Sequence, residues 1–162
     1  SDEDLDAMLE QFGEDFEAQL ARVDGCLEHG LKIRWDVEDV FAHVLTIAPD
    51  LAALRDRVFA SGQPSQDALI DLGRAFDATR QALRDAATER IRDALASVSK
   101  ELRVNPPKND GDLADIALLV PTDGRAALDA AIRLLAETFD DTHIIDITGP
   151  WAPYSFVDLQ LG

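Results

Sequence analysis

From Ser65 to Val104 the chain runs without a proline and keeps a helical beat. Leu69, Leu72, Phe76, Leu83, Ala87, Ile91, Ala94, Val98 and Leu102 recur at the steps that align on one side of a helix. The pairs Asp71/Arg74, Asp77/Arg80 and Glu89/Arg92 suit its exposed side. One helix over that span would be about 60 Å long, broader than a compact domain of 162 residues. It must therefore kink near Gly73, project, or fold against another helix. Residues 3–24 offer a partner. Leu5, Met8, Leu9, Phe12, Phe16, Leu20 and Val23 form an apolar stripe, the early acids complement the helix dipole, and Gly25 stops the run. The expectation is a helical hairpin, coiled-coil-like, between residues 3–24 and 65–104.

The remaining segments are shorter. Leu31, Ile33 and Trp35 alternate with Lys32 and Arg34, the pattern of a strand with one buried face. Asp36 reads as a helix cap, with Asp39 completing a weak capping box. Val37, Val40, Phe41, Val44 and Leu45 then mark a short helix that Pro49 breaks, and Leu51, Leu54 and Val58 a second that ends at Gly62. Residues 104–112 are a loop by composition. Ile116–Val120 is a buried strand, residues 121–124 a turn, and Ala127 to Phe139 a helix. His143–Thr148 is a third strand, so residues 113–148 make a strand–helix–strand crossover. These elements predict one α+β domain over 1–162, with a small, mainly antiparallel sheet and helices on one face. A chain of this length buries roughly 70% of its unfolded surface and needs no staple.

Charge and motif content narrow the function. A net charge of −17 opposes nucleic acid and anionic membrane surfaces alike. No apolar run approaches the ~20 residues of a membrane helix, and no signal peptide is visible. The chain begins at Ser1 rather than methionine, as a piece of a longer protein would. With Cys26 alone there is no internal disulfide, which favours a reducing compartment, and its acidic neighbours Asp24 and Glu28 do not activate it. His29, His43 and His143 are scattered without metal spacing and read as surface or satisfied structural histidines. Asn109-Asp110-Gly111-Asp112 lacks the ligand series of a calcium loop and reads as a solvated turn. Ser155 lacks a nucleophile elbow and no phosphate loop is present, so no catalytic, cofactor or metal residues are assigned. Lys32 and Arg34 put two bases on one strand face. They are either a basic spot for an acidic partner or, the favoured reading, cross-strand partners of Asp146.

The chain closes on an unusual run, Thr148-Gly149-Pro150-Trp151-Ala152-Pro153-Tyr154-Ser155-Phe156-Val157. Two prolines remove amide donors and stiffen it, so it should leave the sheet after Thr148. Trp151, Tyr154 and Phe156 then either lock the ribbon onto the core or stand out as an anchor. Their apolar flanks favour the first.

This run resembles the closing signature of the gas vesicle GvpL/GvpF family, TGPWPPYSFV, with Ala152 in place of one proline. The stretch Val23–Ile33 is similar to the family's G-x-x-E-W-G-x-K-V strand entry, with His29 where an aromatic is common, and Leu72-Gly73-Arg74 is a weaker echo. The likeness spans about Leu20 to Val157. Members usually carry a further N-terminal α/β half ahead of the Gly25–Lys32 block, where this chain has an acidic helix. The resemblance implies a non-enzymatic accessory protein of gas-vesicle assembly, cytoplasmic and associated with gas vesicles. It would contact the shell protein and other accessory proteins, with self-association possible and no cofactor. The expected signature and contact residues are Lys32, Trp35, Gly149, Pro150, Trp151, Pro153, Tyr154 and Phe156. A small-molecule-binding regulatory α+β domain is the alternative, and would show an apolar pocket with converging polar groups. An enzyme would show a cleft holding a strongly perturbed carboxylate or histidine.

Overall fold

In the computed structural model, which describes residues 1–158, the alternation at Leu31–Trp35 becomes the middle of a longer strand, β1 (Cys26–Trp35). Leu31, Ile33 and Trp35 are buried on one face while Lys32 and Arg34 remain half-buried on the other. On one side β1 pairs with β3 (Asp112–Pro121), and on the other with β4 (His143–Trp151), both antiparallel. A short strand β2 (Glu101–Val104) pairs antiparallel with β3, giving the order β2-β3-β1-β4. β3 and β4 thus run parallel to each other with β1 between them. The helix α5 (Arg125–Ala136) carries the chain from one to the other, which is the expected crossover with a strand inserted.

One face of this sheet holds the main core. Leu31 and Ile33 of β1 and Ile116, Leu118 and Val120 of β3 meet Leu128 and Leu135 of α5 and Ile91 and Leu95 of the long helix α4 (Gln66–Leu95). α2 (Val40–Ile47) and α3 (Pro49–Phe59) add Val44 and Leu51. Each such side chain contributes roughly 1.5–3 kcal/mol relative to exposure. The Asp39 carboxylate caps α2 by accepting from Ala42 N at 3.0 Å. Asp36, read as the cap, instead extends the sheet by donating its amide to Thr142 O at 2.7 Å. Pro49 sits in the first turn of α3, where its missing N–H costs nothing.

Two expectations about the long helix are corrected. It is unbroken through Gly73 but ends at Leu95, where Val98 N and Ser99 N close the last turn on Leu95 O. Residues 101–104 are strand, not helix. A four-residue step falls on one face in a helix and in a strand, so Val98 and Leu102 look alike in both. What decides is the sheet: Lys100 N donates to Leu119 O at 2.7 Å and starts the ladder. α4 does fold back on a helix, but on its predecessor α3, and it packs also on α5 and β3. The helix α1 (Asp2–Val23) ends on the opposite face of the sheet instead, with Val23 as its buried residue.

Candidate functional site

The sheet's other face carries a small second cluster: Val23 from α1, Ala117 and Leu119 from β3, and Phe156 from the closing run. Phe156 is fully buried and the Arg103 guanidinium lies 5.5 Å from its ring centroid. The half-buried thiol of Cys26 packs beside them.

The path to Phe156 differs from the expected one. Pairing does not stop at Thr148 but continues to Trp151 opposite Glu28, with an irregularity between Glu28 and Gly30. Pro150 is tolerated because β4 is an edge strand, where a missing N–H breaks no ladder. Two glycines let the strands approach. A Cβ on Gly30 would lie 2.5 Å from Thr148 Oγ1. Gly149, at φ +96°, would place one 2.7 Å from Glu28 O. The chain then turns through Tyr154–Phe156, with Phe156 N donating to Pro153 O at 3.1 Å.

Polar clasps fix this turn to the body. The Glu28 carboxylate accepts from Ser155 N at 2.9 Å and from Ser155 Oγ at 2.5 Å. The Gln19 amide brackets Asp158, donating to its carbonyl at 2.6 Å and accepting from its amide at 2.5 Å. The Arg22 guanidinium donates to Phe156 O. Sequence reasoning missed Glu28 and Gln19 as clasps. Their available signal was an acid set on the outward face of β1 and an amide near the end of α1.

The rings therefore split. Phe156 locks the ribbon, but Trp151 is 58% exposed and Tyr154 82% exposed. The expectation that apolar flanks would bury all of them is corrected: Trp151 ends the edge strand β4, with no further strand beside it, and Tyr154 stands on the turn beyond. Beneath Tyr154 runs an open groove of ≈ 660 Å³ lined by Leu20, Val23, Cys26, Pro153 and Val157. The groove meets α1 at Leu20 and Val23; farther toward the start of that helix Leu5, Met8, Leu9 and Phe12 are exposed, and Phe12 and Phe16 stack with centroids 6.4 Å apart. Tyr154 of the ribbon and Leu20 of the helix stripe both line the groove.

Lys32 and Trp35 do not join it. Trp35 is buried among the core residues, edge-on to His43. Lys32 Nζ lies 3.1 Å from the carboxylate of Asp112, while Arg34 lies 3.7 Å from Asp146. The cross-strand reading holds for Arg34. Asp112, read as part of a solvated turn, is buried. Burial alone would raise its carboxyl, but Lys32 and the amides of Lys108 and Asn109 outweigh it and hold it below its ordinary value.

The histidines divide likewise. His143 pairs with Asp140 at 2.8 Å beside a cleft of ≈ 330 Å³ that Trp35, His43, Arg90 and Phe139 also line. The Thr142 hydroxyl and amide, and then His143, bring Asp140 down to about 2. His29 is buried under α5, and its Nδ1 has no hydrogen-bond partner among the described residues. Burial, and then Arg125, hold its imidazole below the ordinary value. Among the described residues, no group of three or more His, Cys, Asp or Glu is placed to hold a metal ion. No helix among them is long and apolar enough to cross a membrane.

The family model described as gas vesicle synthesis protein GvpL/GvpF matches residues 1–158. A gas vesicle protein F of Streptomyces sp. (strain CB03234) is 28% identical over 152 residues, covering 94% of this chain and 63% of the relative. A gas vesicle protein F of Haloferax mediterranei is 37% identical over 78 residues, 48% of this chain and 37% of the relative. Among solved structures, GvpF from Anabaena sp. PCC7120 superposes with a TM-score of 0.79 at 19% identity, covering 98% of this chain and 64% of that one. GvpF from Microcystis aeruginosa gives 0.73 at 21%, covering 93% and 62%. Both share the fold, and the chain spans less than two thirds of the length of each of these relatives.

Proposed function

The chain belongs to the gas vesicle synthesis protein GvpL/GvpF family, and from that premise we propose that it is a non-enzymatic accessory factor that holds other gas-vesicle proteins during assembly. It works in the cytoplasm, at gas vesicles, and its partners are the shell protein and further accessory proteins. The contact surface is the ribbon bearing Trp151 and Tyr154, with the groove beneath it. One observation carries this reading: polar clasps and the buried ring of Phe156 pin the ribbon, yet Trp151 and Tyr154 remain outside. A pinned backbone with exposed rings is pre-organised for contact, because the ordering cost is met in folding. A net charge of −17 keeps such a molecule dispersed while an apolar patch engages its client.

The test is co-purification of the chain with the major shell protein and with the other accessory proteins. The intact chain is expected to retain at least one of them. Trp151→Ala and Tyr154→Ala should lower retention at least tenfold while circular dichroism stays unchanged. Failure of the intact chain to associate with any gas-vesicle component overturns the proposal.

A further inference from the structure

The stripe of α1 has a chemical frame that its apolar residues alone do not show. At helical spacing, Asp4 and Asp15 border Leu5, Met8, Leu9 and Phe12 on one side, and Asp6, Glu10 and Glu17 on the other. All five acids are exposed; Asp4 is engaged by the ammonium and hydroxyl of Ser1, whereas Asp6, Glu10, Asp15 and Glu17 pair with no base among the described residues. The one base of the helix, Arg22, sits at its far end and is engaged with the ribbon. The helix is thus an open apolar seam between two acidic rails, continuous with the groove at Leu20 and Val23.

We propose that this seam takes an amphipathic helix of a partner protein, one whose apolar stripe is bordered by lysines and arginines. The rails decide the partner. An apolar seam attracts any apolar stripe, but borders of the same sign repel and borders of opposite sign align and select. A second copy of this chain would set acid against acid along the whole helix. A basic-bordered helix neutralises both rails and covers the seam in one step, the helix-in-groove mode of recognition. The inference rests on the reading of this surface as the assembly contact and adds the chemistry of what it meets.

The experiment measures binding of the full chain to two synthetic helical peptides of about 20 residues, long enough to hold a helix. They share one leucine–isoleucine stripe and differ only in Lys/Arg or Glu borders. The basic peptide is expected to bind at least tenfold tighter at about 0.1 M salt. Most of that advantage should vanish at about 1 M, where the screening length falls from ~10 to ~3 Å. Leu9→Gln and Phe12→Gln, at exposed positions, should weaken it at least tenfold with helicity kept. Asp6→Lys with Glu10→Lys and Glu17→Lys inverts one rail and leaves Asp4 and Asp15 acidic on the other, so it should abolish the preference. Equal binding of both peptides, or none of the basic one, overturns the inference. So does a concentration-dependent dimer that Phe12→Gln dissolves, which would assign the seam to a second copy. If the peptides fail to discriminate while co-purification succeeds, this inference falls and the assembly reading stands. If they discriminate while no gas-vesicle component is retained, the assembly reading falls.

Discussion

The two faces of the sheet are closed by different means. The inner face, under α2 to α5, is sealed by aliphatic side chains from every strand and from those helices. The outer face is sealed over a smaller area by Phe156 and Val23, and its cover is held down by Glu28, Gln19 and Arg22. Aliphatic packing draws stability from area and tolerates no gap. A clasp of hydrogen bonds around one ring fixes position over little area, so it can leave neighbouring rings free. The inner face therefore sets how stable the protein is, and the outer face sets what it presents.

The sharpest way to break that contrast is to open a hole in each face. Ile33→Ala, at a fully buried site, should cost about 2–5 kcal/mol and lower the melting temperature by roughly 2–4 °C per kcal/mol. Phe156→Ala removes a larger ring, yet its cost is capped by the free energy that docks the ribbon. We expect a smaller fall in melting temperature together with faster proteolysis between Trp151 and Asp158. An equal thermal loss from the two variants would erase the distinction.

The two strand cations sharpen it further. Lys32→Ala strands the buried Asp112 carboxylate and should cost about 1–3 kcal/mol. Arg34→Ala loses only a solvent-facing pair, worth about 0–1 kcal/mol. Asp112 is held below its unfolded value, so its stabilisation is complete above that value and is lost as pH falls through the folded one. Acid titration of stability should therefore be less steep in Asp112→Asn than in the parent. Smallest of all, Trp151→Ala and Tyr154→Ala should change stability by no more than about 0.5 kcal/mol, measured by denaturant unfolding. A larger loss would make those rings scaffold rather than contact.

Local patterns that only one structure satisfies were legible in the sequence. Leu31-Lys32-Ile33-Arg34-Trp35 alternates and is a strand; Pro49 divides two helices; Leu128, Ile132 and Leu135 face the sheet from α5. What failed depended on neighbours. Val98 and Leu102 fit two periods, and pairing with β3 chose between them. The stripe of α1 announced burial, but α3 and α5 occupy α4. For the closing run, aromatic content suggested one fate for all its rings. The turn after β4 carries Phe156 back over the sheet to Val23, Ala117 and Leu119, while Trp151 at the sheet border and Tyr154 on the turn stay outside.

Pro150 on β4 has a last consequence. An open sheet border invites a foreign strand to add itself, and proteins blunt that hazard with short strands, charges and prolines. Here one border is the four-residue β2, and the other carries Asp146, an irregular pairing and Pro150. Neither offers a long clean row of main-chain donors. A contact made through the surface proposed above would therefore rest on side chains more than on main-chain pairing, and so stay reversible.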